Sequence, residues 1–217
     1  FQREWRLLLF GFAMTFGSSL GQTYFIALFS GEIRSDLGLS HTAFGSVYSA
    51  ATLASAIVLL WSGSLIDRMN LRHFAYLVVF GLAGGCLLLA SSYTLPMLFL
   101  SLLVLRQLGQ GLMGMTGATA MVRYIDDQPG KANAIGGLGF SISEAILPSL
   151  VIASLAWLGW RQSWVLWGLL LVIVLPLLIY RLLRDHERRH AHYLDSVNNV
   201  SSKTAGSGRR QWTRGEA

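Results

Sequence analysis

Long apolar runs are the feature of this sequence that most restricts how the chain can fold. Residues 74–90 read FAYLVVFGLAGGCLLLA, and residues 51–61 read ATLASAIVLLW. A helix of about 20 mostly apolar residues is long enough to cross the hydrocarbon core of a bilayer. Hydrophobic residues make up 53% of the chain and charged residues only 13%, whereas a soluble domain carries about a quarter charged residues. The sequence therefore predicts an integral membrane protein.

Hydropathy and turn signals divide residues 1–183 into an all-α bundle of six membrane-spanning helices. Ser40 can cap the start of the second helix, and Pro96 suits the first turn of the fourth. The Pro-Gly pair in DDQPGKAN separates the fourth helix from the fifth. The predicted spans are about 6–30, 42–66, 73–93, 95–122, 133–158 and 163–183.

Residues 184–217 differ from the rest of the chain. They are charged, rich in Ser and Gly and poor in apolar side chains, which predicts a basic, disordered cytoplasmic linker. His186, His190 and His192 lie close together in this segment, but no acidic or cysteine ligands are placed to complete a metal site. Cys86 is the single cysteine, and its apolar surroundings predict a buried packing residue. The sequence predicts no metal and no cofactor.

Basic residues predict the orientation of the chain in the cell (inner) membrane. If both termini are cytoplasmic, the outer side of this multi-pass protein holds only Arg34 and Arg161. The formal net charge of +6 lies in the connections and the tail, so membrane lipids are predicted partners and nucleic acid is not. The inner side then holds Arg3, Arg6, Arg68, Arg72, Arg123, Lys131, Arg181, Arg184, Arg188 and Arg189.

The connection at residues 63–73, GSLIDRMNLRH, places ionic residues between two apolar helices. It resembles the signature loop of the major facilitator superfamily, in which Gly, Asp-Arg and further basic residues follow at fixed spacing. Asn70 stands where Gly is usual, and His73 stands where Arg or Lys is usual. Asn tolerates the left-handed backbone that a tight turn requires, so this substitution is mild. The residues in register with the signature are Gly63, Asp67, Arg68 and Arg72.

Other segments agree with this resemblance. RQLGQG at 106–111 resembles the Arg-x-x-Gly-x-Gly element of the superfamily's fourth helix, and GWRQSW at 159–164 resembles the start of its sixth helix. The resemblance implies the N-terminal half of a twelve-helix fold, built from two inverted repeats of three helices. The chain begins at Phe1, and its last residues resemble the approach to a seventh helix, so we expect a fragment or truncated product. The expected partner is a second six-helix half from the same gene, a separate chain or a second copy.

The resemblance implies a secondary active transporter that moves a small solute by alternating access, and not an enzyme. In the superfamily the signature loop latches the two halves on the cytoplasmic side while the cavity faces outward. Gly63, Asp67, Arg68 and Arg72 therefore form the predicted conformational gate. Asp67 can accept hydrogen bonds from a neighbouring helix N-terminus. The alternative is that these are ordinary charges of the cytoplasmic side.

Two charges lie deep in the predicted spans. Arg106 lies about 15 Å into the fourth helix at 1.5 Å per residue, and Glu144 lies at similar depth in the fifth. A charge at this depth needs a polar cavity or a partner. Gln22 falls at the same level, and Gln110 and Ser141 lie about one turn from the two charges. The predicted substrate-binding residues are Gln22, Arg106, Gln110, Ser141 and Glu144.

The roles of these residues have alternatives. Arg106 can hold an anionic group such as a carboxylate, and Glu144 can exchange a proton because burial disfavours its charged form. Alternatively, the two residues form a structural pair, or Arg106 braces the backbone of the first helix. A membrane enzyme is disfavoured because every histidine lies at or beyond a helix end. A non-transporting receptor or assembly factor on the same bundle is the alternative function. Neither the substrate nor the choice among symport, antiport and uniport follows from the sequence.

Overall fold

The computed structural model describes residues 4–125 and 128–184, and every element in these ranges is a helix. Residues 1–183 belong to one compact unit. The predicted linker beyond residue 184 lies outside the described residues. The elements are α1 (Trp5–Gly17), a 3-10 helix (Ser18–Gly21), α2 (Thr23–Leu28), α3 (Ser30–Leu37), α4 (His41–Ser62), α5 (Leu65–Arg68), α6 (Leu71–Ala90), α7 (Leu95–Leu105), a π-helix (Arg106–Met113), α8 (Gly114–Tyr124) and α9 (Pro129–Leu182).

Four helical stretches among the described residues are long and apolar enough to cross a membrane: His41–Arg68, Leu71–Ala90, Leu95–Tyr124 and Pro129–Leu182. The last of these runs for 54 residues and breaks at Gly159, which has φ 73° and ψ 173°. A positive φ of this kind favours glycine, which has no Cβ. The pieces on either side of the break each exceed the roughly 20 residues that one crossing requires. The sequence predicts a longer connection at 159–162, and a single non-helical residue replaces it.

The first predicted span, 6–30, is not one continuous helix. α1 ends at Gly17, the 3-10 helix follows, and Gln22 adopts an extended conformation with φ −78° and ψ 153°. The Ser18 hydroxyl donates to the Thr15 carbonyl oxygen at 2.7 Å, and such local bonds compete with regular helix geometry. The prediction of an uninterrupted span was wrong because hydropathy does not report these local backbone bonds.

The helix starts mostly follow the sequence signals. The Ser40 side chain accepts a backbone hydrogen bond of 3.0 Å at the start of α4, and Thr94 caps α7 with Pro96 in its first turn. Asn70 differs from expectation because its backbone is extended, with φ −62° and ψ 130°. Its side chain accepts from the Arg72 backbone N–H at 2.9 Å. Asn70 is therefore the N-cap of α6, and the expected left-handed turn was wrong.

α1 packs closely against the first part of α9, residues 129–158. The Thr15 hydroxyl donates to the Gly136 carbonyl oxygen at 2.5 Å, and the hydroxyls of Ser19 and Ser143 are 2.6 Å apart. A Cβ added to Gly139 would lie 2.8 Å from a backbone nitrogen of α1. Small and hydroxyl-bearing residues allow this approach, as is usual for helix pairs in lipid.

Candidate functional site

Two interrupted helices meet at one level of the bundle. The 3-10 helix at 18–21 packs against the π-helix at 106–113. Their closest approach is at Gly21 and Gly109, because a Cβ on Gly109 would lie 2.6 Å from the Gly21 Cα. π-helical turns occur frequently at functional sites, and transporters build midplane binding sites from discontinuous helices. The two breaks therefore mark a candidate site.

Arg106 begins the π-helix and is buried, with 7% of its surface exposed. Its Nη1 donates to the Gly21 carbonyl oxygen at 3.3 Å and to the Thr23 hydroxyl at 3.0 Å. The guanidinium lies over the Tyr48 ring, 5.4 Å from its centroid. Its Nε has no hydrogen-bond partner in the described part of the chain. Arg106 thus joins the first broken helix to α4, which agrees with the bracing alternative and leaves Nε unpaired.

The other predicted binding residues differ in their exposure to solvent. Gln22 is half-buried beside the Arg106 contact, whereas Gln110, Ser141 and Glu144 are exposed on the unit. Within the described ranges Glu144 makes no ion pair with Arg106, so the predicted structural pair does not form.

The exposure of Glu144 follows from helical periodicity. Gly139 faces α1, and Ser143 faces the 3-10 helix and α2. The 3.6-residue repeat turns Ser141 and Glu144 away from these neighbours. Glu144 therefore lies on a face of α9 that this unit does not cover.

Thr23 and Tyr48 belong to the site although the sequence does not single them out. The Tyr48 hydroxyl donates to the Thr23 hydroxyl oxygen at 2.9 Å, so Thr23 accepts from both Tyr48 and Arg106. Neither residue is charged, and their contact depends on how α2 meets α4. Hydropathy does not determine that contact. The sequence signal that could have identified these two residues is only that each is a polar side chain near the level of a buried charge.

The signature loop packs against the end of α8. Asp67 forms an ion pair with Arg123, whose Nη1 also donates to the Ile66 carbonyl oxygen at 3.3 Å. A Cβ on Gly63 would lie 3.3 Å from the terminal carbon of Met115, so Gly63 permits close packing. The partner of Asp67 in the described part of the chain is therefore an arginine side chain near the end of α8.

The remaining gate residues lie in different surroundings. Arg68 is exposed. The Arg72 guanidinium lies 5.9 Å from the Tyr76 ring centroid and 5.4 Å from that of Tyr180. Cation–π contacts of this kind stabilise partly exposed arginines. Arg72 thus links the start of α6 to the last turn of α9.

A second arginine cluster lies where α6 ends and α9 breaks. Arg161 forms an ion pair with Asp36 at 2.7 Å and donates to the Ala90 carbonyl oxygen at 2.7 Å. Its guanidinium lies 4.1 Å from the Tyr93 ring centroid and 4.3 Å from that of Trp160. This side chain connects the end of α3, the end of α6 and the break in α9.

In residues 4–125 and 128–184, no group of three His, Cys, Asp or Glu side chains is placed to hold a metal ion. His186, His190 and His192 lie outside the described residues. Cys86 is a free, buried cysteine within α6.

Comparison with known proteins agrees with the resemblance of the signature loop. A family model described as Major Facilitator Superfamily matches residues 11–210. Neither a curated protein nor a solved structure matches the chain. The match spans most of the sequence, including the broken helices, Arg106 and the signature loop. The chain therefore belongs to the major facilitator superfamily and is a multi-pass membrane transporter of that type.

Proposed function

We propose that the chain is one six-helix half of a secondary active transporter that moves a small anionic solute by alternating access with proton coupling. The observation that supports this proposal best is Arg106, a buried arginine at the contact of two interrupted helices. A charge held inside a membrane bundle marks a substrate or ion pathway by default. Broken helices at the same level are typical of transporter binding sites.

Six crossings are consistent with the helices described. The four long stretches supply five crossings if the chain crosses once on each side of Gly159. α1, the 3-10 helix and α2 supply the sixth, since together they run from Trp5 to Leu28. We propose that these crossings form two inverted repeats of three helices. The excess of Lys and Arg on one side favours cytoplasmic termini in the cell (inner) membrane.

A second six-helix unit explains the exposed polar residues. Gln110, Ser141 and Glu144 are exposed on this unit, and apolar side chains such as Trp157 are 88% exposed. Polar groups at this depth are stable where a water-filled cavity borders them. We propose that the cavity closes against a second half, from the same gene, another chain or a second copy.

Arg106 and Glu144 then have separate roles. A guanidinium binds a carboxylate through paired hydrogen bonds, and the unpaired Nε of Arg106 is one donor for that contact. Glu144 projects away from α1 and is the carboxylate that exchanges protons with the cavity. The Asp67–Arg123 pair holds the signature loop against the end of α8, and the loop latches this half to the second half during the transport cycle.

Uptake into proteoliposomes tests this function. The full chain is reconstituted, an inward proton gradient is imposed, and uptake of a panel of radiolabelled mono- and dicarboxylates is measured across external pH. We expect uptake that increases as the external pH falls, that is lost in Arg106→Gln, and that loses its pH dependence in Glu144→Gln. Lys131→Gln, which removes an exposed cation near the start of α9, is the matched control.

The contrary results are specific. Binding without flux of any panel member, both alone and after reconstitution with a second six-helix half, would favour a receptor or assembly factor. Flux with unchanged pH dependence in Glu144→Gln would remove that residue from proton coupling.

A further inference from the structure

A cavity of about 210 Å³ opens between the α2–α3 segment and the first two turns of α4. It is smaller than the pockets that hold drug-sized ligands, so its volume suits a small molecule. The residues that define its chemistry are Thr23, Ile26, Arg34, His41, Phe44 and Tyr48.

The cavity lies at the end of α4 remote from the signature loop. His41 begins α4 and lines the cavity, whereas Ser62 ends α4 just before Gly63. The cavity and the Asp67–Arg123 pair are therefore separated by the length of a 22-residue helix. A solute in the cavity is on the other side of the bundle from the latch.

The side chains that line the cavity and can carry a charge near neutral pH are basic. Arg34 and His41 both line it, and Arg34 forms no ion pair with a residue in the described ranges. Asp36, two residues further along α3, forms an ion pair with Arg161 at 2.7 Å. Glu32 is exposed and does not line the cavity. An anion at Arg34 would therefore meet no carboxylate in the cavity lining.

Part of the cavity wall is apolar. Ile26 is fully buried, Phe44 is 9% exposed, and both are lining residues of the cavity. An apolar wall beside a guanidinium suits an anion that carries a hydrocarbon body. A fully hydrated inorganic anion would gain nothing from that wall.

The inner wall of the cavity is shared with the Arg106 site. Thr23 and Tyr48 line the cavity, and their hydroxyls are hydrogen-bonded at 2.9 Å. The same Thr23 oxygen accepts from Arg106 at 3.0 Å, and the Tyr48 ring lies against its guanidinium. Arg106 is more than nine-tenths buried, and its Nε is unpaired among the described residues. A chain of contacts thus runs from the cavity to the buried arginine.

We propose that this cavity is an access subsite, which captures a small organic anion with an apolar body at Arg34 and His41 before the anion reaches Arg106. The proposed capture step is inferred from the cavity alone. Only the transfer of the anion to Arg106 rests on the proposed transport function. The ligand class is a monocarboxylate with an aromatic or aliphatic body.

Equilibrium binding to the purified full chain in detergent tests the subsite, with radiolabelled benzoate as probe and protein-free micelles as blank. Benzamide has the same ring without the charge, and acetate has the charge with little apolar body. We expect benzoate to bind, and both analogues to bind at least tenfold more weakly. Arg34→Gln should lower benzoate affinity about tenfold, since it removes a charged hydrogen-bond donor. Lys131→Gln should leave the affinity unchanged.

A second variant makes the test independent of charge. Ala27 is an exposed residue of the cavity lining, and Ala27→Trp would fill the cavity. We expect this variant to lose the benzoate binding that depends on Arg34, while it elutes as a monodisperse, helical protein. His41→Gln and Ala27→Trp carry the test if Arg34→Gln does not fold.

Each contrary outcome would contradict a specific part of the proposal. Absence of benzoate binding, or unchanged affinity in Arg34→Gln or in a folded Ala27→Trp, would overturn the subsite. Equal affinity for benzoate and benzamide would overturn the anion class. Normal benzoate binding without flux would contradict the transport function alone, because the binding measurement needs no transport.

Discussion

Arg106 donates a hydrogen bond to the carbonyl oxygen of Gly21, a residue 85 positions earlier in the chain, at 3.3 Å. This bond joins a π-helix to a 3-10 helix. The interruption after α1 therefore faces the interruption after α7. Regular α-helices leave no backbone carbonyl free for such a bond in their interior. The guanidinium therefore stabilises a local structure that the backbone alone would not maintain.

Replacing Arg106 by Gln should destabilise the protein by about 1–3 kcal/mol, because the buried Gly21 carbonyl loses its charged donor. The free energy of unfolding in mixed micelles of increasing SDS content measures the effect. Arg181→Gln, which removes an exposed arginine near the end of α9, is the control and should change it little. Equal stabilities of the two variants would refute the bracing role.

Gly109→Ala should also destabilise the protein, by about 1–3 kcal/mol, because the added Cβ would overlap the Gly21 backbone. Gly84→Ala is a matched control in α6, where a Cβ meets nothing within 4 Å. The control should leave stability unchanged or increase it slightly, since Ala favours helix over Gly. Thermal unfolding followed by circular dichroism compares the two variants. A melting temperature of Gly109→Ala at or above that of Gly84→Ala would contradict the close approach.

Breaking the Asp67–Arg123 pair should change local access more than global stability, because the Asp67 side chain is 68% exposed and solvent screens the pair. In a Cys86→Ala background, Ile66→Cys gives a buried thiol beside this pair. Arg123→Gln should increase its maleimide labelling rate several-fold, since Arg123 also bonds the Ile66 carbonyl oxygen. Arg68→Gln, an exposed neighbour, should leave the rate unchanged, and a similar increase there would argue against a specific latch.

Arg161→Ala should destabilise the protein more than Asp36→Asn does. The ion pair is partly exposed and contributes at most about 1 kcal/mol. Arg161 also bonds the Ala90 carbonyl oxygen and lies over the Tyr93 ring, so its removal breaks further contacts. The difference in unfolding free energy between the two variants, expected at about 1 kcal/mol or more, measures these additional contacts. Equal effects would mean that the ion pair is the whole contribution.

Ser143→Ala should destabilise the contact of α9 with the 3-10 helix and α2, whereas Ser141→Ala should not. Ser143 is buried and accepts hydrogen bonds from Ser19 at 2.6 Å and Tyr24 at 3.2 Å. Hydrogen bonds between helices in membranes contribute about 0.6 kcal/mol on average and at most about 2. Ser141 is exposed two residues earlier and provides the same substitution without those partners. SDS titration of both variants distinguishes them, and an equal loss would contradict the assigned faces.

Much of the fold could be predicted from local sequence signals. Ser40 marks a helix start through a hydrogen bond within a few residues, and Pro96 marks one through its fixed φ, so neither effect depends on tertiary contacts. The resemblance of residues 63–73 to the signature loop led to the family that the comparison confirmed.

The interruptions of the helices, and the sides of the helices on which polar residues lie, could not be predicted in the same way. Gln22 lies in an apolar stretch that reads as one span, and its extended backbone depends on Ser18 and on the π-helix that packs beside it. Glu144 was expected to face a polar cavity or a partner because it lies deep in a span. Depth does not determine which side of a helix faces a neighbour, and α1 occupies the opposite side of this one.

The sequence by itself determined that this chain is a helical membrane protein of the major facilitator type, because hydropathy, capping and motif spacing are properties of neighbouring residues. Only the tertiary structure decided that Arg106 binds Gly21 and Thr23, that Arg123 pairs with Asp67, and that Glu144 faces away from α1. These contacts join residues far apart in the chain, and they follow from how the helices pack and from which carbonyl and hydroxyl groups the packing brings within hydrogen-bond distance.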